Sequence, residues 1–102
     1  MSEREDLGDD VRRGWYRLRA ATRPTLHLWA SELSLGAEVR GGLETSDDFE
    51  SITMLPEEGV LRATGACSVA FSIERDTWGR PHVQMQGVGG ARVRVLLDRR
   101  TP

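Results

Sequence analysis

From Leu61 to Ile73 the chain alternates with a period of two. Leu61, Ala63, Gly65, Cys67, Val69, Phe71 and Ile73 hold the odd positions, while Arg62, Thr64, Ser68, Ser72 and Glu74 hold even ones. Successive side chains of an extended strand point to opposite faces, so this pattern specifies a strand with one buried and one wet face, and it does not fit a helical stripe. The odd phase resumes in Val83, Met85 and Gly87, and again in Ala91, Val93, Val95 and Leu97. A two-residue loop at Gly89-Gly90 would mix the faces of the last two runs. A three-residue loop over 88–90 pairs Gly87 with Ala91, Met85 with Val93 and Val83 with Val95, which keeps the apolar set on one side. The competing reading is one long strand bent by a glycine bulge. Extended backwards, the three-residue register sets Ile73 against Val83 and Phe71 against Met85. It predicts an antiparallel meander of 66–75, 82–88 and 91–97, with Asp76–Pro81 as a turn.

The earlier part of the chain is less regular. Val11, Trp15, Leu18 and Ala21 fall at helical spacing after Asp9-Asp10, whose carboxylates suit a helix N-terminus, and Pro24 closes the segment. The spacing predicts a short helix over 11–21, weakened by Gly14. Residues 25–40 fit either a helix on Leu26, Trp29, Ala30, Leu33 and Ala37 or a strand bulged near Ser31-Glu32 and ended by Gly41-Gly42. The strand is preferred, because the chain beyond it is β. A further strand spans Phe49–Leu55, entered from the acidic loop 44–48 and stopped by Pro56. The expected fold is β-rich (all-β or α+β): an antiparallel sandwich or partly closed barrel of about five to six strands with one short N-terminal helix. Residues 1–8 form an acidic, flexible N-terminus, 9–98 a single domain and 99–102 a tail.

Composition narrows the function classes. The chain has 102 residues, enough for one domain with its own core, and a formal charge of −2. All 14 basic side chains are Arg, and Lys and Asn are absent, a codon signature of a GC-rich bacterial gene. No apolar run approaches a membrane span, the acidic start is unlike a secretory leader, and Cys67 stands alone, so the expected compartment is the cytoplasm. Charge is segregated: residues 1–10 net −4, 11–23 net +5, 24–61 net −7 and 62–102 net +4. Such blocks either answer one another within the fold or present a dipolar surface to a partner.

Chemistry-bearing motifs are few. There is no GxSxG, CxxC or P-loop, and Gly87-Val88-Gly89-Gly90 lacks the strand–loop–helix setting of a dinucleotide site. His27 and His82 lie in separate segments without metal-ligand spacing, so neither a metal nor a cofactor is expected. The meander register places Glu74 opposite His82, Gln84 opposite Arg94 and Gln86 opposite Arg92 on the wet face. With Trp78 and Arg80 in the adjoining turn, the candidate contact residues are Trp78, Arg80, His82, Gln84, Gln86, Arg92 and Arg94. Ordinary cross-strand pairing on a solvated sheet accounts for the same residues. The leading reading is a non-catalytic binding or regulatory domain that acts by protein–protein contact, with an unknown partner or by self-association through a free sheet edge. A second reading is nucleic-acid binding through the Arg clusters at 12–23 and 92–100, with Arg12, Arg13, Arg17 and Arg19 as contacts beside stackable Trp15, Tyr16 and Trp78. The acidic middle and negative total charge weigh against it. A third is a small cofactor-free enzyme with His82 on the sheet face. No membrane partner is expected, and no segment resembles a known family closely enough to carry a function.

Overall fold

The computed structural model describes residues 11–87 and 91–99. Eight strands lie within them: β1 (Val11–Arg12), β2 (Trp15–Leu18), β3 (Thr25–Ser31), β4 (Glu38–Ser46), β5 (Thr53–Leu61), β6 (Gly65–Ala70), β7 (Thr77–Gln86) and β8 (Arg92–Asp98). They form two antiparallel sheets, one of five strands ordered β1-β2-β7-β4-β5 and one of three ordered β6-β3-β8. The sheets face each other as an open sandwich. Its core joins Leu18, Leu26, Leu43, Phe71 and Ile73 at one end to Leu28, Ala30, Val39 and Leu61 at the other. The backbones approach closely where Gly41 pairs with Gly59. A Cβ at Gly41 would lie 3.2 Å from Leu26 Cδ2, and one at Gly59 would lie 3.0 Å from Cys67 Sγ. Gly41-Gly42 sits in the middle of a strand and ends nothing, and at Gly41 the Leu26 and Leu28 side chains fill the space a larger residue would need.

The N-terminal helix is absent. Arg12 pairs with Trp15 and Val11 with Tyr16 across a two-residue turn, with Arg13 at φ 54° and Gly14 at φ 81°. Two consecutive positive φ values define the tight turn whose twist matches a β-hairpin. The glycine that weakened the helix reading is the residue that makes the hairpin. Residues 25–31 are a strand, as preferred. The phase change after it is not a bulge: the chain leaves one sheet through 32–37 and enters the other at β4, with Glu32 at φ 61°.

The meander is also overturned. β6 pairs with β3 and not with β7, β8 pairs with β3 on its described side, and β7 lies between β2 and β4 in the other sheet. The alternation assigns the faces correctly, since Cys67, Val69, Phe71 and Ile73 all point inward. It says nothing about which strand lies alongside. The crossing from β6 to β7 runs through 71–76, tied to the antiparallel crossing at 19–24 by Ala21 N–H donating to the Ile73 carbonyl at 2.7 Å and Phe71 N–H to the Pro24 carbonyl at 2.9 Å. Ala20 N–H also donates to Asp76 Oδ1 at 2.8 Å. Thr77–Pro81 is strand and not turn. Pro81 is accommodated because β2 reaches only as far as Gly79, so β7 beyond that point is flanked by β4 alone. Likewise β5 runs through Pro56 where the register with β4 breaks between Gly42 and Glu44, at a sheet edge. Phe49 belongs to the loop before β5 and not to the strand. The loop 88–90, the cap Asp9-Asp10 and the N-terminal residues 1–8 lie outside the described residues.

Candidate functional site

Five of the expected contact residues share one surface. Trp78, Arg80, His82, Gln84 and Gln86 alternate along the outer face of β7, and across from them on β4 stand Ser46, Glu44, Gly42, Arg40 and Glu38. The acidic middle of the chain, and not Glu74, Arg92 or Arg94, supplies their neighbours. Arg80 Nε donates to Glu44 Oε1 at 2.8 Å, and His82 Nδ1 lies 3.6 Å from Glu44 Oε2. Arg40 bridges Glu38 and Glu58, and Arg62 Nε reaches Glu38 Oε1 at 3.1 Å. The Arg40 hydrogen bond holds the Glu38 carboxyl below its usual range despite desolvation, with Arg62 adding to the effect, and Glu38 in return holds the Arg40 guanidinium above its own range. Gly42, without a side chain, leaves a shallow trough of about 180 Å³ bounded by His82, Gln84, Arg40, Glu58 and Met54.

Towards the other end of this face the polar row gives way to alternating rings and guanidinium groups. Arg80 lies 4.2 Å from the Trp15 ring centroid, and Arg17 lies 5.2 Å from that of Trp78. Phe49 sits 5.3 Å from Trp78 and 6.4 Å from Trp15, and Arg12 and Arg13 approach its ring at 5.9 and 5.5 Å. Phe49 reaches this position because Asp48 Oδ1 accepts the Glu50 and Ser51 N–H groups, both at 2.8 Å, which folds the loop tightly with Phe49 at φ 65°. Those N–H groups hold the Asp48 carboxyl below its ordinary range. As a result Trp15 and Trp78 are buried on what is nominally the wet side of the sheet. Of the arginines expected to contact nucleic acid, Arg12, Arg13 and Arg17 rest on the protein's own rings. Arg17 also lies 3.7 Å from Asp76, and Arg19 comes just after the end of β2, its carbonyl accepting Thr22 Oγ1 at 2.6 Å. Glu74 is remote from His82. It lines a cleft of about 640 Å³ at the end of the sandwich, with Asp47, Asp48, Glu57 and Arg75.

Arg92 and Arg94 belong to the other surface, the outer face of the three-stranded sheet. Arg94 pairs with Trp29 and Leu96 with His27 across β8 and β3. On the far side of β3, Ala66, Ser68 and Ala70 of β6 keep the face low. The Trp29 and His27 rings stack at 5.9 Å, Arg94 lies 5.9 Å from the Trp29 centroid, and His27 Nδ1 and Ser68 Oγ share a hydrogen bond of 2.7 Å. Trp29 is 39 % exposed and Leu96 52 %. Arg92 is 3.4 Å from Glu32 at the rim. Three of these residues, His27, Trp29 and Leu96, were missing from the expected set, although the signal was present. In the strand reading Leu26, Leu28 and Ala30 point inward, so a Trp at 29 must stand on the wet face.

The arrangement thus separates a closed, internally paired face from an open aromatic one. Among the described residues, no three His, Cys, Asp or Glu side chains come together as metal ligands, and no helix is long and apolar enough to cross a membrane. The fold and site define an open two-sheet antiparallel β domain. Comparison of the chain with protein-family models, with curated proteins and with solved structures gave no match.

Proposed function

We propose that this chain is a non-catalytic, cytoplasmic protein of a bacterium that works by protein–protein contact, through the outer face of the three-stranded sheet. The observation that carries this reading is Trp29, left exposed on the middle strand of that sheet between stacked His27 and overlying Arg94, beside exposed Leu96. A large ring and an aliphatic side chain on a wet sheet face are unfavourable in isolation and gain when a partner covers them. Trp and Arg are also the residues over-represented where a few side chains supply most of an interface's free energy. The five-stranded sheet offers less. Its rings are already covered by Phe49 and its guanidinium groups are engaged with Glu38, Glu44 and Glu58. The cytoplasmic assignment rests on a single free cysteine and an all-Arg bacterial composition.

The test is affinity capture from the native host with the full chain and with Trp29→Ala, Arg94→Ala and His82→Ala variants, each first shown to be folded. A partner retained by the wild type and by His82→Ala, and reduced at least tenfold by Trp29→Ala and Arg94→Ala, is the expected result. A partner set indifferent to Trp29 and Arg94 overturns the surface. A salt-sensitive gel shift with random DNA, abolished by changing Arg12, Arg13 and Arg17 together, overturns the class.

A further inference from the structure

We infer that one partner for this region is a second copy of the same chain, joined through the outer edge of β8 so that two three-stranded sheets become one of six strands. The inference deepens the protein-contact reading and rests on it for the region involved. It starts from a comparison of edges. β1 is two residues long, β5 carries Pro56 and a register break, and β7 becomes an edge only beyond Gly79, with Pro81 two residues on. β6 opens on Gly65 and presents only Ala66, Ser68 and Ala70 outward. Proline, register breaks and short length are among the devices that stop an edge from recruiting another strand, and charged side chains are a further one. β8 (Arg92–Asp98) has seven residues, no proline and no register break, and the charges it carries lie on its outer face. Among the described residues, no strand pairs with its side away from β3.

β8 is also complementary to itself. In an antiparallel pair centred on Val95, Val95 meets Val95 of the second copy and Val93 meets Leu97, all on the core side. On the outer side Arg94 meets Leu96 and Arg92 meets Asp98. The exposed Leu96 lies beneath the aliphatic stem of an arginine. A shift of one residue would exchange the two faces. A shift of two sets Arg94 against Arg94 in one direction, and in the other shortens the ladder to Arg94–Asp98. Only the centred register uses the whole strand, and its two-fold symmetry closes the assembly at a dimer.

The unequal sheets give an independent reason. β5 lies against β6, β4 against β3, and β7 touches β8, so β2 and β1 have no counterpart strand in the smaller sheet. Their inner face carries Leu18, which packs into the core with Val95 and Leu97, and beyond it Tyr16 and Val11. Tyr16 is covered by Arg99, which lies 5.0 Å from its ring, and Val11 remains exposed. A second β8 beside the first would occupy the layer beneath β2 and bring Val93, Val95 and Leu97 of the second copy towards that face.

Sedimentation equilibrium on the full chain, across a wide concentration range, tests this with two substitutions at one exposed position. Leu96→Arg sets Arg against Arg94 twice in the symmetric pair and is expected to raise the dimer dissociation constant roughly tenfold or more, whereas Leu96→Glu sets opposite charges together and keeps or tightens the dimer. A wild type that stays monomeric throughout overturns the proposal, and so does a dimer indifferent to Leu96→Arg. A monomer that still captures a host protein through Trp29 would remove the self-pairing and leave the protein-contact reading intact.

Discussion

Arg80 stands 4.2 Å above the ring of Trp15 while its Nε donates to Glu44 at 2.8 Å. One guanidinium thus joins an indole from β2 to a carboxylate from β4 across the outer face of β7. The planar cation stacks on the ring through its face and bonds the carboxylate through its edge, a combination that a lysine ammonium does not reproduce. Phe49 closes over the same indole, so Trp15 is 3 % exposed although it does not enter the sandwich core.

Trp15→Ala is expected to destabilise the domain by about 3–5 kcal/mol, the range for truncating a buried Trp. Arg80→Ala is expected to cost about 1 kcal/mol, and the double variant less than the sum by a similar coupling, because the two side chains touch. Chemical denaturation of the four proteins measures the cycle. Strict additivity would show that the stack contributes nothing.

Gly79 leaves room for the Leu18 side chain of the neighbouring strand β2. A Cβ there would overlap the Leu18 Cδ1 methyl, itself fully buried, and lie 3.3 Å from the Glu44 carbonyl oxygen. Gly79→Ala is therefore expected to cost about 1–3 kcal/mol through overpacking. At Gly42 the nearest atoms are 3.6 Å away, and Ala is expected to be neutral or stabilising by about 0.5 kcal/mol, since it restricts the unfolded chain. Thermal melts of the two variants distinguish a packing constraint from a general preference for glycine.

The faces of this fold were legible in the sequence, and the partners were not. Period-two alternation assigned Cys67, Val69, Phe71, Val93 and Val95 to the inside, and the structure agrees. The same alternation is satisfied by any neighbouring strand of matching phase, so it could not distinguish a local meander from strands that cross between sheets. The β3 pairings with β6 and β8 join segments some forty to seventy residues apart, and nothing local encodes them. The N-terminal hairpin escaped for a different reason. Val11, Trp15 and Leu18 match a helical stripe, yet Trp15 and Leu18 are buried on opposite faces of β2, one beneath Phe49 and the other in the core. Of the contact set, His82, Gln84 and Gln86 were read on one strand, which in the structure extends back through Trp78 and Arg80, read as a turn. Arg92 and Arg94 were joined to it only through the mistaken meander.

Two carboxylates make stability depend on acid. Glu38 is held low chiefly by the Arg40 hydrogen bond and Asp48 by the Ser51 and Glu50 N–H groups, so as the pH falls the unfolded chain takes up protons first. Their contribution is complete above the ordinary carboxylate range and is lost as the pH drops through the lower folded values. Glu38→Gln and Asp48→Asn together are expected to lower the melting temperature near neutrality and to approach the wild type at strongly acidic pH, below those folded values. A constant difference at all pH values would exclude this origin.

Burial between the sheets pushes the Cys67 thiol up, so its reactive thiolate is scarcer than in an open chain. Alkylation by iodoacetamide, followed by mass spectrometry, is expected to be slower in the native protein than in urea, with its pH midpoint displaced upward. Identical profiles in the two states would place the sulfur in open solvent.

The three tryptophans occupy distinct surroundings, and their emission separates them. Trp15 and Trp78 lie beneath Phe49 and beside Arg80 and Arg17, whereas Trp29 stands on the open sheet face with His27 and Arg94 against its ring. Trp29→Phe is expected to remove most of the acrylamide-quenchable, red-shifted fluorescence and to change stability by less than about 1 kcal/mol, because a half-exposed ring loses little burial on replacement by a smaller one. Trp78→Phe is expected to leave the quenchable fraction in place while lowering stability. If the quenchable signal survives in Trp29→Phe, that ring is covered in solution and the open-face reading fails.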